Sequence, residues 1–398
     1  MKIMKLWFQD PSKYQQAISR LGISEEKYRY IIDLVVRTFP KDWADSKLAD
    51  IKKKSNFLHC DLWPSLLCGL RYNPVPMILA GVTGGYMPVI AIIRLGQLLQ
   101  KAEQLPNKKT LIKRLMGNPD DYISALFELE AFEFFSNLGF SLACDPEEDG
   151  VDYTFQKDGR KIFVEVTHRG PSWVMEVFDR VGQTITEPTN VNFSKCIHIN
   201  YRIAKEFVDL NGVDELVFDI DRVLAKKVET SYTVKDKGFR FQVEYKKSEE
   251  GGLTLKWHET TDWAYEAAEL FKGRMNDKVE QLSRNEPSFC AIDMRSVIPS
   301  LIVTDWKDTS DICAEFIQKL FKAGHDFVVE NICVGGIFVW IKHVGRTKDL
   351  IIDTLNQDEV ILINAKSSFS DEAATKLFPC AVLPKYLKWY CEKDLFLP

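Results

Sequence analysis

The chain has 398 residues, of which 45% are hydrophobic and 27% are charged. This length predicts two or three structural units, and the ordinary composition excludes collagen-like, low-complexity and disordered proteins. The formal net charge is −5, which excludes a protein that coats nucleic acid through overall positive charge. Any contact with DNA or RNA is therefore expected at a local site.

The nine cysteines are scattered, and no two of them form a CxxC pair. This spacing excludes a zinc ribbon and a thioredoxin-like motif. The first residues, MKIMKLWFQDPSKYQQ, lack the apolar core of a signal peptide. Together with the odd cysteine count, this predicts free thiols in a reducing compartment and a cytoplasmic protein.

Residues 1–118 predict an α-helical N-terminal domain, because apolar residues recur there at three-to-four spacing. The predicted helices are Tyr14–Leu21, Glu25–Thr38 and Ile90–Leu105. Two basic runs, Lys52–Lys54 and Lys108–Arg114, are interpreted as solvated helix faces.

An uncharged stretch, Tyr72–Ile93, has the length of a membrane span. Three prolines and the pair Gly84-Gly85 interrupt it. These residues break helices, so we predict two buried helical pieces joined by a turn and no membrane segment.

The middle of the chain predicts a helix followed by strands. A helix at Asp120–Leu138 begins after Asn118-Pro119, which supply a cap and a first-turn proline. Asp158-Gly159 is a strong hairpin signal between two strands. The predicted strands are Phe140–Cys144, Val151–Gln156 and Lys161–Thr167.

The remaining chain predicts an insertion, a return to the same sheet and an extension. Residues 169–262 are interpreted as a β-rich insertion, and residues 297–398 as a C-terminal α/β extension. The predicted helices are Phe193–Val208, Trp263–Arg284 and Asp311–Lys322. The predicted strands are Phe239–Lys246, Leu253–Trp257, Ser288–Met294, Asn331–Lys342, Ile351–Thr354 and Val360–Ile363.

Carboxylates in the hairpin are the chemically informative residues. Alternation along the return strand places Lys161, Glu165 and Thr167 on one face. A carboxylate in so apolar a strand needs a partner, and Asp152 begins the neighbouring strand. Two carboxylates on adjacent strands can hold a divalent cation, which activates water and neutralises phosphodiester charge. Alternatively, Asp152 is a turn residue, and Glu165 pairs with Lys161 on a solvent-facing sheet.

The segment FELEAFEFF adds three glutamates to an otherwise apolar helix. The helical turn spreads Glu128, Glu130 and Glu133 over different faces, so at most two of them can point inward. We interpret Glu130 and Glu133 as solvent-facing, and Glu128 as a possible third carboxylate of the site.

The segment Leu126–Thr167 resembles the PD-(D/E)xK nuclease superfamily. The resemblance implies an α/β fold with a restriction-endonuclease-like αβββαβ core at residues 119–168 and 263–296. It also implies that Asp152 and Glu165 bind Mg²⁺ or Mn²⁺, with Glu128 assisting and Glu130 as its substitute.

The family lysine falls at Thr167, which cannot supply a positive charge. Lys161 on the same strand face and Lys278 in the following helix are two possible replacements, although Lys278 could also be a surface lysine. His168 and Arg169 are further cations at the strand end. We therefore expect a metal-dependent nuclease-like protein that hydrolyses DNA or RNA. The alternative is a catalytically inactive module of the same fold that binds nucleic acid or a protein partner.

Overall fold

The computed structural model describes the helical and strand-forming parts of the chain, and structural statements below refer to these residues. The described ranges are 15–20, 22–54, 73, 75–80, 87–143, 150–168, 196–203, 230–236, 239–246, 253–257, 263–282, 288–295, 319–320, 322–331, 334–342, 358–363 and 387–390.

Six helices precede residue 118 in the described part of the chain. They are α1 (Gln15–Arg20), α2 (Glu25–Thr38), α3 (Lys41–Lys54), α4 (Val75–Ala80), α5 (Met87–Ala102) and α6 (Lys108–Leu115). The Ser24 side chain caps α2 by accepting a hydrogen bond from the Lys27 backbone N–H at 3.2 Å. The prediction of α2 is confirmed to the residue, and the helices predicted around α1 and α5 are confirmed with shifted ends.

The uncharged stretch contains two separate helical pieces, α4 and the first half of α5. This confirms the division into two helices, while the predicted glycine turn between them lies outside the described residues. Within the described part of the chain, no helix combines the length and the apolar character needed to cross a membrane.

The longest helix before the sheet is α7 (Pro119–Asn137). The Asn118 side chain caps it by accepting a hydrogen bond from the Asp121 backbone N–H at 2.9 Å. Gly139 follows its end with a φ of 88°, a backbone conformation that favours glycine. Aromatic residues of α7 pack against the sheet, as in the T-shaped contact of Phe127 with Trp340. The helix is therefore buried on most of its surface.

A seven-stranded sheet lies beside α7, in the order β1-β2-β3-β8-β9-β10-β11. Its strands are β1 (Ser141–Leu142), β2 (Tyr153–Lys157), β3 (Arg160–His168), β8 (Ser288–Asp293), β9 (Val334–Lys342), β10 (Asp358–Ile363) and β11 (Leu387–Tyr390). The β2–β3 hairpin turns at Asp158-Gly159, and both turn residues have positive φ, as a type I′ turn requires. The strand β8 runs parallel to β3, after helix α8 (Trp263–Leu282).

Two hydrophobic clusters cover the two faces of this sheet. One cluster contains residues of α2 to α7 together with Tyr153, Val164 and Phe338 from the sheet. The other contains Phe271 and Met275 of α8 with Cys290 of β8, a buried free thiol. The result is a mixed α/β arrangement with helices on both faces. The predicted domain boundary at residue 118 falls between α6 and α7, and the division into domains stays a prediction.

A separate four-stranded sheet, in the order β5-β6-β4-β7, forms in the predicted insertion. Its strands are β4 (Cys196–Ile203), β5 (Thr230–Asp236), β6 (Phe239–Lys246) and β7 (Leu253–Trp257). The predicted helix at Phe193–Val208 is wrong, because its described part is the strand β4. Strands β6 and β7 match their predictions to the residue.

In the extension, the described helical residues are 319–320 and 322–330, later than the predicted helix Asp311–Lys322. Most of that predicted range lies outside the described residues, as does the predicted strand Ile351–Thr354. The strands predicted at Asn331–Lys342 and Val360–Ile363 are observed as β9 and β10, with shifted ends.

Candidate functional site

Asp152 and Glu165 are brought together by the register of the hairpin. Tyr153 of β2 pairs with Val164 of β3 in antiparallel order, so the preceding residue, Asp152, lies opposite Glu165. The Asp152 Oδ2 atom accepts a hydrogen bond from the Val166 backbone N–H at 2.7 Å. This bond fixes the Asp152 carboxylate to β3, while the Asp152 backbone lies in a bend directly before β2. The strand predicted from Val151 therefore begins two residues later, at Tyr153.

The two carboxyls share a buried environment that opposes their ionisation. Burial and the nearby Asp152 charge, opposed by Lys278, together raise the pKa of Glu165 to about 7. Burial also raises the pKa of Asp152, against the hydrogen bond from Val166. Two acids held this close do not both ionise readily unless a cation compensates them.

Lys278 of α8 supplies one such cation. Its Nζ atom contacts Oε1 of Glu165. The Glu165 side chain is 3% exposed and the Lys278 side chain is 19% exposed, so this ion pair is largely shielded from solvent. Lys161, the other candidate, is exposed near the start of β3 and pairs with Gln156 across the hairpin. The structure thus places Lys278 at the site, and the reading of Glu165 as a solvent-facing partner of Lys161 is wrong.

A second contact joins the same helix to the same strand. The Nε atom of Arg274 donates a hydrogen bond to Oγ1 of Thr167 at 2.8 Å. Thr167 is buried, and the Arg274 side chain is 34% exposed. The position that the family pattern gives to lysine therefore lies against an arginine from α8, which sequence reasoning missed.

Glu128 lies next to this site but has its own cation. Arg114 of α6 donates a hydrogen bond from Nη1 to Oε1 of Glu128 at 2.6 Å. Burial and the Asp152 charge, opposed by Arg114, together raise the pKa of Glu128 to about 7. Arg114 was expected on a solvated helix face, and that interpretation is wrong for this residue of the basic run.

The expectation that Glu130 and Glu133 face solvent is also wrong. Glu130 accepts a hydrogen bond from Nη2 of Arg295 at 2.5 Å, and Glu133 forms an ion pair of 2.5 Å with Nη1 of Arg94. Their side chains are 11% and 17% exposed. Both glutamates thus connect α7 to other elements, and neither lies at the Asp152–Glu165 pair.

His168 lies at the end of β3 against Asp293 of β8. Its Nδ1 atom is 3.1 Å from Oδ2 of Asp293, and its Nε2 atom is buried without a hydrogen-bond partner. Burial alone would raise the pKa of Asp293, but the Arg295 charge and the hydrogen bonds from His168 and Arg295 hold it below its ordinary value. His168 therefore belongs to a buried ion-pair group, and Arg169 lies outside the described residues.

No group of three histidine, cysteine, aspartate or glutamate side chains in the described ranges is arranged to hold a metal ion. No protein-family model, curated protein or solved structure matches the chain.

Proposed function

We propose that this protein is a metal-dependent nuclease-like enzyme that hydrolyses phosphodiester bonds of DNA or RNA. The observation that carries the proposal is the meeting of three side chains, one from the bend before β2, one from β3 and one from α8. Asp152 lies opposite Glu165 across the hairpin, and Lys278 reaches Glu165 from α8. Two acids and one lysine in a largely buried position are the groups that such hydrolysis needs.

The donor atoms suit Mg²⁺ or Mn²⁺. Both acids offer oxygen ligands, and Mg²⁺ is commonly held by one or two carboxylates together with waters and substrate phosphates. A site with two protein carboxylates therefore fits this ion without a third protein ligand. The raised pKa values of Asp152 and Glu165 indicate a local excess of buried acid that a cation would relieve. When bound, such an ion lowers the pKa of a coordinated water and neutralises charge on the phosphodiester.

Each residue of the site would then have its own role. Asp152, held by the Val166 N–H, and Glu165 would hold the ion between two strands whose register fixes their separation. Lys278 would keep a positive charge beside the reacting phosphate, in place of the lysine that the family has at Thr167. Glu128 would take part as a ligand only if its ion pair with Arg114 opened.

The order of the elements supports the same proposal. Helix α7, strands β1, β2 and β3, helix α8 and strand β8 follow one another as α, β, β, β, α, β, with the four-stranded insertion before α8. The first four strands of the larger sheet lie in the order β1-β2-β3-β8. This is the element order expected of a restriction-endonuclease-like core at residues 119–168 and 263–296.

A second candidate function is an inactive module of the same fold that binds nucleic acid or a protein partner. The observation that favours it is Thr167, whose hydroxyl is occupied by Arg274 and carries no charge. In this case the acids and Lys278 would be retained for packing and binding without hydrolysis.

A cleavage assay separates the two candidates. Labelled single-stranded and duplex DNA and RNA are incubated with the protein and Mg²⁺ or Mn²⁺. The variants are Asp152→Asn, Glu165→Gln and Lys278→Met, with Lys161→Met as the matched control because Lys161 is exposed on the same strand as Glu165. The nuclease proposal expects metal-dependent products that the three site variants lose and the control retains. Equal products from all proteins, or none from the unmodified chain on every substrate, would contradict it.

A further inference from the structure

Two side-chain pairs, called rungs below, connect α8 to β3 side by side. Glu165 meets Lys278, and Thr167 meets Arg274. Residues two apart on a strand face are separated by roughly 6.6 Å, and residues four apart on a helix by about 6 Å. The two spacings match, so the helix and the strand, running in opposite directions, can form both pairs side by side. Arg274 therefore lies one rung from the acid that the proposed function assigns to the metal.

The hydrogen bond to Thr167 uses one of the five N–H donors of Arg274. It is made by Nε, which leaves the two terminal amino groups of the guanidinium. The nearest described carboxylate is Asp277, whose Oδ2 lies 3.8 Å from Nη1, beyond hydrogen-bond distance. Asp277 is 67% exposed, so this surface ion pair holds the guanidinium only weakly. Among the described residues, no carboxylate lies within hydrogen-bond distance of the terminal donors of Arg274, and the side chain is 34% exposed.

We propose that Arg274 binds a phosphate of the nucleic-acid substrate, positioned by Thr167. This inference rests on the proposed function, because it takes the Glu165 rung as the metal and cleavage position. A guanidinium presents paired N–H groups that match two phosphate oxygens, which a lysine cannot do. Thr167, at the position of the family lysine, then acts as a positioning residue that orients the Arg274 guanidinium of α8. Lys278 would then serve phosphodiester cleavage, and Arg274 would bind the phosphate backbone of the nucleic acid.

The test is equilibrium binding of a labelled oligonucleotide at several salt concentrations, without added divalent metal. The probes are one sequence prepared as single-stranded DNA, duplex DNA and single-stranded RNA. Each phosphate contact contributes about 0.9 to the slope of log K against log salt on duplex DNA, and about 0.7 on single strands. Arg274→Gln is expected to reduce the slope by one such contact. Arg274→Lys is expected to keep the slope but to bind more weakly, because a lysine cannot make the bidentate contact.

Lys272→Gln is the matched control, since it removes the same charge from an exposed position of α8. It should leave the slope unchanged. Thr167→Val should weaken binding while keeping the slope, because the charge remains but loses its orientation. Thermal unfolding of each variant distinguishes lost binding from lost structure.

Two results would overturn the inference. One is an Arg274→Gln slope equal to that of Lys272→Gln, which would make Arg274 only a structural tie between α8 and β3. The other is the absence of binding to all three probes at low salt. Because binding is measured without cleavage, an inactive protein that shows the Arg274 slope change would support this inference and contradict the nuclease proposal.

Discussion

Replacing Lys278 by Met tests the electrostatics of the site without substrate or metal. Methionine keeps the apolar stem of the lysine and removes the ammonium from Glu165. In the unmodified chain the pKa of Glu165 is about 7, raised by burial and by Asp152 and opposed by Lys278. Without Lys278 this pKa moves higher still. The variant therefore accepts a proton on Glu165 at pH values where the unmodified chain keeps it ionised.

Protonation of Glu165 limits how much free energy of unfolding the variant loses. At about pH 6 the Glu165 carboxyl is mostly protonated in both proteins, so the loss of free energy of unfolding is small. At about pH 8, one unit above the pKa of Glu165 in the unmodified chain, the variant must protonate this carboxyl. This protonation lowers the free energy of unfolding by about 1.4 kcal/mol. The sign follows from linkage. A buried acid with a raised pKa binds more protons when folded, so stability falls as pH rises towards that pKa, and the fall extends further in the variant.

Urea unfolding followed by circular dichroism, at both pH values, measures this difference. In a Glu165→Gln background the same substitution should show a smaller increase in this loss between the two pH values, because only the charges of Asp152 and Glu128 still titrate near Lys278. Lys161→Met should change the free energy by no more than about 0.5 kcal/mol at either pH, as surface substitutions usually do. An equal loss at both pH values, or a pH-dependent loss as large in the Glu165→Gln background as in the unmodified chain, would refute the coupling of Lys278 to Glu165.

Three further predictions concern the metal, the buried ion pairs and a helix cap. Because the pKa of Glu165 is raised to about 7, Mn²⁺ binding should release protons and should tighten from about pH 6 to about pH 8. Calorimetry in two buffers of different ionisation enthalpy measures the proton release. Binding without proton release would contradict this prediction. Arg295→Met should cost about 3 kcal/mol at neutral pH in urea unfolding, and the loss should shrink below about pH 4, where the stabilisation from the low pKa of Asp293 is lost; a loss unchanged at acid pH would contradict it. Asn118→Ala should cost about 1 kcal/mol through the lost cap of α7, and unchanged thermal stability would contradict it.

Local signals in the sequence predicted the elements that carry the site. The cap at Asn118 and the Asp158-Gly159 turn each act over a few residues, and the structure confirms both. It also confirms the strand β3, although the last five residues of β3 are buried on both faces rather than alternating. Strand β4 was missed although Ile197, Ile199 and Tyr201 alternate with polar residues. That period of two was the available signal, and it predicts a strand rather than a helix.

The partners of the charged residues were less predictable, because they come from distant parts of the chain. Arg295 and Glu130 are 165 residues apart, and Lys278 and Glu165 are 113 residues apart. Spacing within a helix placed Glu130 and Glu133 on separate faces but said nothing of which neighbours would cover those faces. The choice between Lys161 and Lys278 stayed open for the same reason, since it depends on where α8 packs against β3.

The ion pairs of Glu130 and Glu165 join parts of the chain that are synthesised at different times. Glu130 and the pair Asp152 and Glu165 leave the ribosome well before Lys278 and Arg295, with the whole four-stranded insertion translated in between. Until those two residues are made, Glu165 lacks its lysine, Glu130 has only the 4.0 Å ion pair with Arg94, and β3 lacks its parallel neighbour β8. Closing such long loops costs entropy before any contact repays it, so folding should be slow and late. A nascent chain halted before α8 would therefore carry both acids of the site without the lysine that neutralises them.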